Sequence, residues 1–374
     1  MENIIRAHVF VVNDNTFPIH LNYLFAGTGA GEDDENISLL CDIKRVRPGD
    51  FVIFYIEAKA KVKGGFYGVF RIKEQDPIVF HVKGQDAYKP DNLGMKLIYR
   101  TLIEPHEVYP EGVPEWEALD KLPIYATEVQ WSLIYRKLKG KRGCTPLLPW
   151  EAERLINMIR DKNAGKYIAD PSYTGGFTWD AKNRRITLTK QRLEYPYQRN
   201  YSFDTVGRIC EVMRSGKRRA FENLLQLYFI ENIGFRRDLE PIVGGNVVWF
   251  GNEVACGVGM QKMDLLVINE HGGRREYRII ELKDEPVKPD VVDQIEYYVN
   301  WASQRSGRHL LDAYEWNIQP VIVAPRRSIG TWRSVVEAFR AFRRYNQKNI
   351  SLPILYFEFS CRDRSIVFEE VSYS

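Results

Sequence analysis

The stretch from Met263 to Lys283 constrains this chain more than any other. Two apolar runs, Met263 to Ile268 and Glu276 to Leu282, flank Asn269 to Arg275, whose Gly272-Gly273 pair suits a hairpin turn. Glu281 and Lys283 stand two residues apart, so a strand points both to one face. The strand otherwise runs Tyr-Arg-Ile-Ile, so an acid and a base at its end need a reason. Asp264 sits early on the preceding strand. Two carboxylates converging on one point make a hard oxygen site suited to Mg²⁺, and a lysine beside them can stabilise a pentacovalent phosphate or help deprotonate a water. The plainer alternative is a cross-strand ion pair between Asp264 and Lys283 on a solvated sheet face.

Helices and strands mix around this hairpin. Arg219 to Ile233 places Leu224, Leu225, Tyr228 and Phe229 at helical spacing and stops at Gly234. Pro289 begins a helix with Val291, Ile295, Val299 and Ala302 on one face. Pro320 to Ala324 is a buried strand, Trp332 to Tyr345 an amphipathic helix, and Ile354 to Phe359 a further strand. The pattern predicts an α/β core with a central mixed sheet over 201–374.

The first half has a different grammar. Ala7 to Asn13, Phe51 to Ile56, Phe66 to Ile72 and Met95 to Leu102 are strand runs, punctuated by Asn13-Asp14-Asn15, Pro48-Gly49-Asp50 and Gly64-Gly65. Pro149 to Arg160 closes the half as a helix with Ala152, Leu155, Ile156 and Ile159 on one face. Many strands and few helices predict a small β-barrel or curved sheet over 1–162. Residues 163–200 are the connector, with one hairpin, Gly176 to Trp179 against Arg184 to Thr189.

Charge is unevenly spread. The 374 residues carry a net +4, but residues 182–219 hold 11 basic side chains against 3 acidic ones. Arg184, Arg185, Lys217, Arg218 and Arg219 in this block suit the phosphates of a nucleic-acid backbone. A solvated charged face is the alternative. No stretch approaches the ~20 apolar residues of a membrane span, and no signal-peptide pattern opens the chain. Five scattered cysteines without a CxxC pair argue against zinc and against a disulfide framework, and for reduced, packed thiols in the cytoplasm.

From Phe221 to Tyr298 the chain resembles the PD-(D/E)xK nuclease superfamily. Glu281-Leu282-Lys283 stands as ExK at the end of an apolar strand, and Asp264 one strand earlier follows Met263 rather than proline. Gln294 and Tyr298 form Gln-x-x-x-Tyr on the next helix, as in the RecB-like branch, and Glu222 takes the acidic position of the first core helix. The resemblance implies a restriction-endonuclease-like core in which Asp264, Glu281 and the Leu282 carbonyl hold Mg²⁺, for which Mn²⁺ can substitute. Glu222 adds an outer contact. Lys283 positions the attacking water, the 3′ oxygen leaves, and Gln294 and Tyr298 face the same cleft.

Residues 7–160 resemble the PUA-like domains, and among them the EVE and YTH readers of modified bases. The features are Val11-Val12-Asn13, Pro48-Gly49-Asp50 before Phe51 to Tyr55, and Gln130-Trp131-Ser132 through Tyr135-Arg136-Lys137-Leu138. A reader holds an extruded base between aromatic faces. Trp131 leads the aromatic candidates, before Phe17, Tyr23, Trp116 and Trp150, while Asn13 and Ser132 are placed to bond the base edge. The histidines His8, His20, His81 and His106 are isolated and structural.

Together these resemblances imply a Mg²⁺-dependent endonuclease directed by a modified-base reader and acting on double-stranded DNA as a homodimer, without a membrane. A repair or ordinary restriction nuclease reading unmodified DNA is the enzymatic alternative. A non-catalytic nucleic-acid-binding protein is the alternative of another class.

Overall fold

Runs that are apolar on both faces, such as FVIFYI, avoid water only between layers, and they form the centre of the first unit. The computed structural model describes residues 4–29, 36–58, 63–81, 93, 97–120, 143–195, 203–216, 221–256, 261–309 and 315–373. The chain divides into two units, Met1–Ser202 and Phe203–Ser374.

The first unit runs β1 (Ala7–Val12), α1 (Phe17–Tyr23), β2 (Phe25–Thr28), α2 (Ile37–Lys44), β3 (Phe51–Ile56), β4 (Gly65–Ile72), β5 (Phe80–His81), β6 (Tyr99–Pro105), β7 (Val113–Pro114), α3 (Glu115–Asp120), β8 (Cys144–Leu147) and α4 (Pro149–Lys162). The sheet order is β2-β6-β4-β3-β1-β8, with β5 added to β6 and β7 to β4. β1 and β3 pair in parallel and the other neighbours antiparallel. Gly68 takes a φ of +71°, where a Cβ would strike the Phe70 ring, and it breaks the pairing of β4 with β3. Beyond it Phe70–Ile72 turn to β6 while Gly65 and Phe66 take β7, so the sheet curls. Among the described residues its end strands β2 and β8 do not pair, so of the two expected forms, barrel or curved sheet, it takes the open, curled sheet.

α4 forms as its spacing requires. Pro149 occupies the first turn, the Leu148 amide donates to Glu151 Oε2 at 3.1 Å, and Ala152, Leu155, Ile156 and Ile159 are buried against the strands. Each fully buried Leu or Ile contributes about 1.5–3 kcal/mol. Among the described residues the half also holds α1, α2 and α3, which strand-rich composition concealed. Within the segment read as a connector, β9 (Gly176–Asp180) and β10 (Arg185–Thr189) form the expected hairpin. It is packed into the first unit rather than standing apart, since Phe177, Trp179 and Ile186 are buried and the Ile186 amide donates to the Pro110 carbonyl.

The second unit runs α5 (Thr205–Ser215), α6 (Phe221–Asn232), α7 (Glu240–Val243), β11 (Val247–Cys256), β12 (Gln261–His271), β13 (Arg274–Leu282), α8 (Val291–His309), β14 (Glu315–Pro325), α9 (Trp332–Asn346), β15 (Leu355–Arg362) and β16 (Ser365–Glu370). The six strands lie in sequence order in one sheet. The pairs β11–β12, β12–β13 and β15–β16 are antiparallel, and β13–β14–β15 are parallel. Parallel neighbours need crossovers, which α8 and α9 supply. Alternation of side chains assigns the layers. Tyr356 packs on Phe339 and Phe342 of α9, whereas Phe359 stacks on Phe221 of α6 from the other face. This is the mixed-sheet α/β core that the sequence predicts. Among the described residues no helix is long and apolar enough to cross a membrane.

One expectation fails here. Cys210 on α5 and Cys361 on β15 pair as a disulfide with Cα atoms 5.6 Å apart, against the reduced thiols predicted. They lie 151 residues apart, and only the packing of α5 on this sheet edge brings them together. Cys41, Cys144 and Cys256 are buried thiols.

Candidate functional site

The β12–β13 ladder runs from the Gly272-Gly273 turn, both glycines at positive φ, as far as Leu265↔Ile280, and then stops. Past that pair β12 stays with β11, while β13 stays with β14 through Leu282↔Val323 and a bond from the Lys283 amide to the Val323 carbonyl. Where the strands part, the Leu282 amide donates to Asp264 Oδ2 at 2.8 Å instead of to a strand carbonyl. The split sets Asp264 opposite Glu281, one step beyond the last pair. On β11 the residue opposite Asp264 is Glu253, a non-glycine at φ +50°, and it ion-pairs with Lys262.

Glu281 is 3% exposed. Lys283 Nζ donates to its Oε1 at 2.7 Å and to Gln294 Oε1 at 3.1 Å. Gln294 Nε2 in turn donates to the Tyr298 hydroxyl at 2.8 Å, which donates to the Lys262 carbonyl at 2.7 Å. Asp264, Glu281, Lys283, Gln294 and Tyr298 therefore form one connected cluster. Glu222 stands at its margin, exposed on the first turn of α6. It is coupled to the cluster through its charge and through the Asp284 backbone amide.

The electrostatics follow from that crowding. Burial, and next the charge of Glu281, push the Asp264 carboxyl well above the usual range, against the pull of the Leu282 amide. Burial also raises Glu281, although Lys283 and the nearby Gln294 amide oppose it. Lost hydration, then Asp284, raise Glu222. Lys283 is desolvated, but Glu281, Asp264 and Glu222 hold its ammonium pKa above the ordinary value. Two carboxylates this close resist ionising together unless a positive charge joins them.

Glu281 Oε2 is buried and takes no hydrogen bond of ordinary geometry. A purely structural ion pair would satisfy both oxygens. An orphaned carboxylate oxygen beside a second carboxylate fits a hard divalent cation. No group of three or more His, Cys, Asp or Glu side chains placed to hold a metal occurs among the described residues. Mg²⁺ is commonly held by one or two carboxylates, with water and phosphate oxygens completing its shell, so the donor set suits it.

Two residues that hold this site were not foreseen. Gln226 of α6, 2% exposed, donates through Nε2 to the Asp264 carbonyl at 3.0 Å and accepts from Asn252 Nδ2 at 3.0 Å. Asn252 is completely buried on β11. The signal was present as a polar residue inside each of the apolar runs Leu-Leu-Gln-Leu-Tyr-Phe and Val-Val-Trp-Phe-Gly-Asn.

In the first unit the structure departs from the expected base pocket. Phe17 is 0% exposed, packed against Phe54, Tyr67 and Trp179, so neither of its faces is open to a base. Asn13 Oδ1 accepts from the amides of Asn15 and Thr16 ahead of α1, which occupies it locally. Tyr23 packs beside Phe25, Leu93 and Leu97. Trp150 is buried and Trp116 exposed. Trp131, Ser132 and the Tyr135-Arg136-Lys137-Leu138 motif lie outside the described residues. Among the basic residues expected on the DNA backbone, Arg184 is engaged internally. It pairs with Asp14 at 2.7 Å, donates to the Lys63 carbonyl at 2.7 Å and stacks over Trp179. Arg185 is exposed, with Asp180 at 3.8 Å, and Lys217, Arg218 and Arg219 lie outside the described residues. His8 bonds Asp50 at 2.8 Å and His20 Nδ1 donates to the Phe25 carbonyl at 3.0 Å, both in structural roles.

No family model and no curated protein matches the chain. Among solved structures, a hypothetical protein from Leishmania major matches 42% of this chain and 96% of its own, at 13% identity and a TM-score of 0.30. Human THYN1 protein, solved in complex with 5-methylcytosine containing DNA, matches 41% of this chain and 97% of its own, at 11% identity and a TM-score of 0.30. Restriction endonuclease FokI matches 52% of this chain and 38% of its own, at 12% identity and a TM-score of 0.21. Likenesses this distant establish no family for the chain.

Proposed function

We propose that the second unit is a Mg²⁺-dependent nuclease acting on DNA, directed by the first unit as a reader of modified bases. The observation that carries the reading is the buried, unbonded Glu281 Oε2 next to Asp264, with Lys283 at 2.7 Å from the other oxygen of Glu281. Asp264 and Glu281, with the Leu282 carbonyl, would hold the cation. When bound, the ion supplies positive charge that lets both carboxylates ionise and that offsets charge building on the phosphate. Lys283, held by Glu281 and Gln294, presents its ammonium to a phosphate oxygen and keeps the attacking water in line. Gln294 and Tyr298 fix that lysine by tying α8 to the Lys262 backbone. Glu222 tunes the site by its charge from the surface of α6. Double-strand cutting needs two copies, so the active form on DNA is a homodimer. The test is digestion of matched duplexes, unmodified or carrying methylcytosine, hydroxymethylcytosine or N6-methyladenine, with Mg²⁺ or EDTA. Mg²⁺-dependent cutting of one modified duplex supports both parts. Equal cutting of all duplexes removes the reader, and no cutting under any condition removes the nuclease.

A further inference from the structure

The carboxyl ends of β14 and β16, on either side of the middle of β15, carry a second feature that the cleavage site does not use. A cavity of about 710 Å³ lies there, lined by Arg326, Arg327, Trp332, Glu358, Glu369 and Glu370 among others. That volume is in the range of sites that take a nucleotide-sized ligand. Two of its polar groups, Glu358 and Arg327, are held in place, whereas Arg326 at the rim is exposed and reaches Glu369 only at 3.9 Å. Glu358 is 5% exposed and accepts from Arg327 at 3.1 Å and from the Tyr356 hydroxyl at 3.3 Å, both on Oε1. Arg327 stacks over the Trp332 indole at 5.1 Å, yet Trp332 remains 52% exposed. A large indole left in water at the mouth of a polar cavity is a surface on which a base can stack.

The sheet register ties this cavity to the site. Glu281, Ile322 and Tyr356 are in register across three parallel strands, as are Ala324 and Glu358. Because the Lys283 amide bonds the Val323 carbonyl, Lys283 stands level with Ala324, and so with Glu358 two strands away. Strands lie ~4.8 Å apart, so Glu358 sits roughly 10 Å from Lys283 across the sheet and on its face. That is a span of one to two nucleotides.

We propose that this cavity is a subsite for one nucleotide of the DNA strand flanking the scissile phosphate, and that it selects a base bearing an exocyclic amino group. Its position beside the cut rests on the nuclease reading, but its ligand chemistry does not. The base stacks on the open part of Trp332, its amino group donates to the Glu358 carboxylate, and its phosphate meets Arg326 at the rim. A carboxylate accepts from amino groups of cytosine, adenine or guanine. Thymine has no exocyclic amino group and flanks its single imino N–H with two carbonyls, which the carboxylate repels.

The test uses the full chain in EDTA, so that no cleavage is needed, with fluorescent six-nucleotide single strands of oligo-dC, oligo-dA and oligo-dT. The parent is expected to bind oligo-dC and oligo-dA about tenfold more tightly than oligo-dT. Trp332→Leu, an exposed position, should lower affinity for all three by roughly ten- to a hundredfold, the usual effect of losing one stacked base. Glu358→Gln, near-isosteric, should erase the preference by weakening oligo-dC and oligo-dA and tightening oligo-dT, with its melting temperature measured alongside. Both variants binding as the parent does would overturn the subsite. A parent that binds this way but never cuts DNA leaves the subsite standing and removes only the cleavage reading.

Discussion

Gln226 donates a hydrogen bond to the backbone carbonyl of Asp264, 3.0 Å away, from a side chain that is almost fully buried. A helix side chain thus holds the main chain of a proposed metal ligand at the point where the hairpin ladder ends. Gln226→Leu removes both the donor to that carbonyl and the acceptor of the Asn252 Nδ2 bond. The expected loss is about 1–3 kcal/mol of stability, read by urea unfolding. In a double-mutant cycle, Gln226→Leu with Asn252→Leu should cost less than the two single changes summed, because both single changes lose the same buried hydrogen bond. Strict additivity would show that the chain of bonds does not form.

Acid pH should affect this site earlier than it affects ordinary carboxylates. Burial raises both Asp264 and Glu281, helped at Asp264 by the charge of Glu281 and at Glu281 by that of Glu222, so they take up protons at higher pH than exposed acids do. Mg²⁺ affinity should decline on acidification from a correspondingly higher pH, as isothermal titration would register. Without metal the sign reverses. Between the ordinary carboxylate pKa and the raised one, the folded state binds more protons than the unfolded state, so stability falls as pH rises. Glu281→Gln carries no such charge, and in EDTA it should melt higher than the parent at neutral pH with a flatter pH dependence. Parallel melting curves for the two proteins would count against the electrostatic account.

Arg184 and Arg185 are neighbours with opposite expected phenotypes. Arg184 joins Asp14 and stacks on Trp179, so Arg184→Ala should destabilise the protein by about 1–2 kcal/mol. Arg185 is exposed, and neutralising it with Lys217, Arg218 and Arg219 should leave the melting temperature near the parent's. The salt slope of DNA binding should flatten by about 0.9 for each phosphate no longer neutralised. An unchanged slope would assign the basic block to a solvated face.

Much of the second unit was legible because its chemistry breaks its own pattern. Glu281 and Lys283 interrupt an apolar strand, and Gly272-Gly273 marks the turn that pairs that strand with the one bearing Asp264. The helices carrying Gln294, Tyr298 and Glu222 announce themselves by 3.6-residue spacing. Gln226 and Asn252 were hidden because a single polar residue in an apolar run does not name its partner, which lies 26 residues away. Cys210 and Cys361 were misjudged for the same reason, since sequence spacing carries no record of which edge α5 covers. In the first unit, Phe17 looked available as a stacking surface because an aromatic at a turn gives no sign of its burial. Trp179, far along the chain, covers it.

The most direct test of the central claim is the rate at which the full chain cuts duplex DNA in Mg²⁺, compared with Lys283→Ala, Asp264→Asn and EDTA. Lys283 should be worth at least ~10²-fold in rate, as a group placed to meet developing phosphate charge usually is. Asp264→Asn should be inactive, and both variants should bind DNA as the parent does, since neither side chain serves the ground state alone. Cleavage that depends on Mg²⁺ and disappears in both variants is the predicted result. Lys283→Ala cutting at the parent rate, or undiminished cutting in EDTA, would contradict the account.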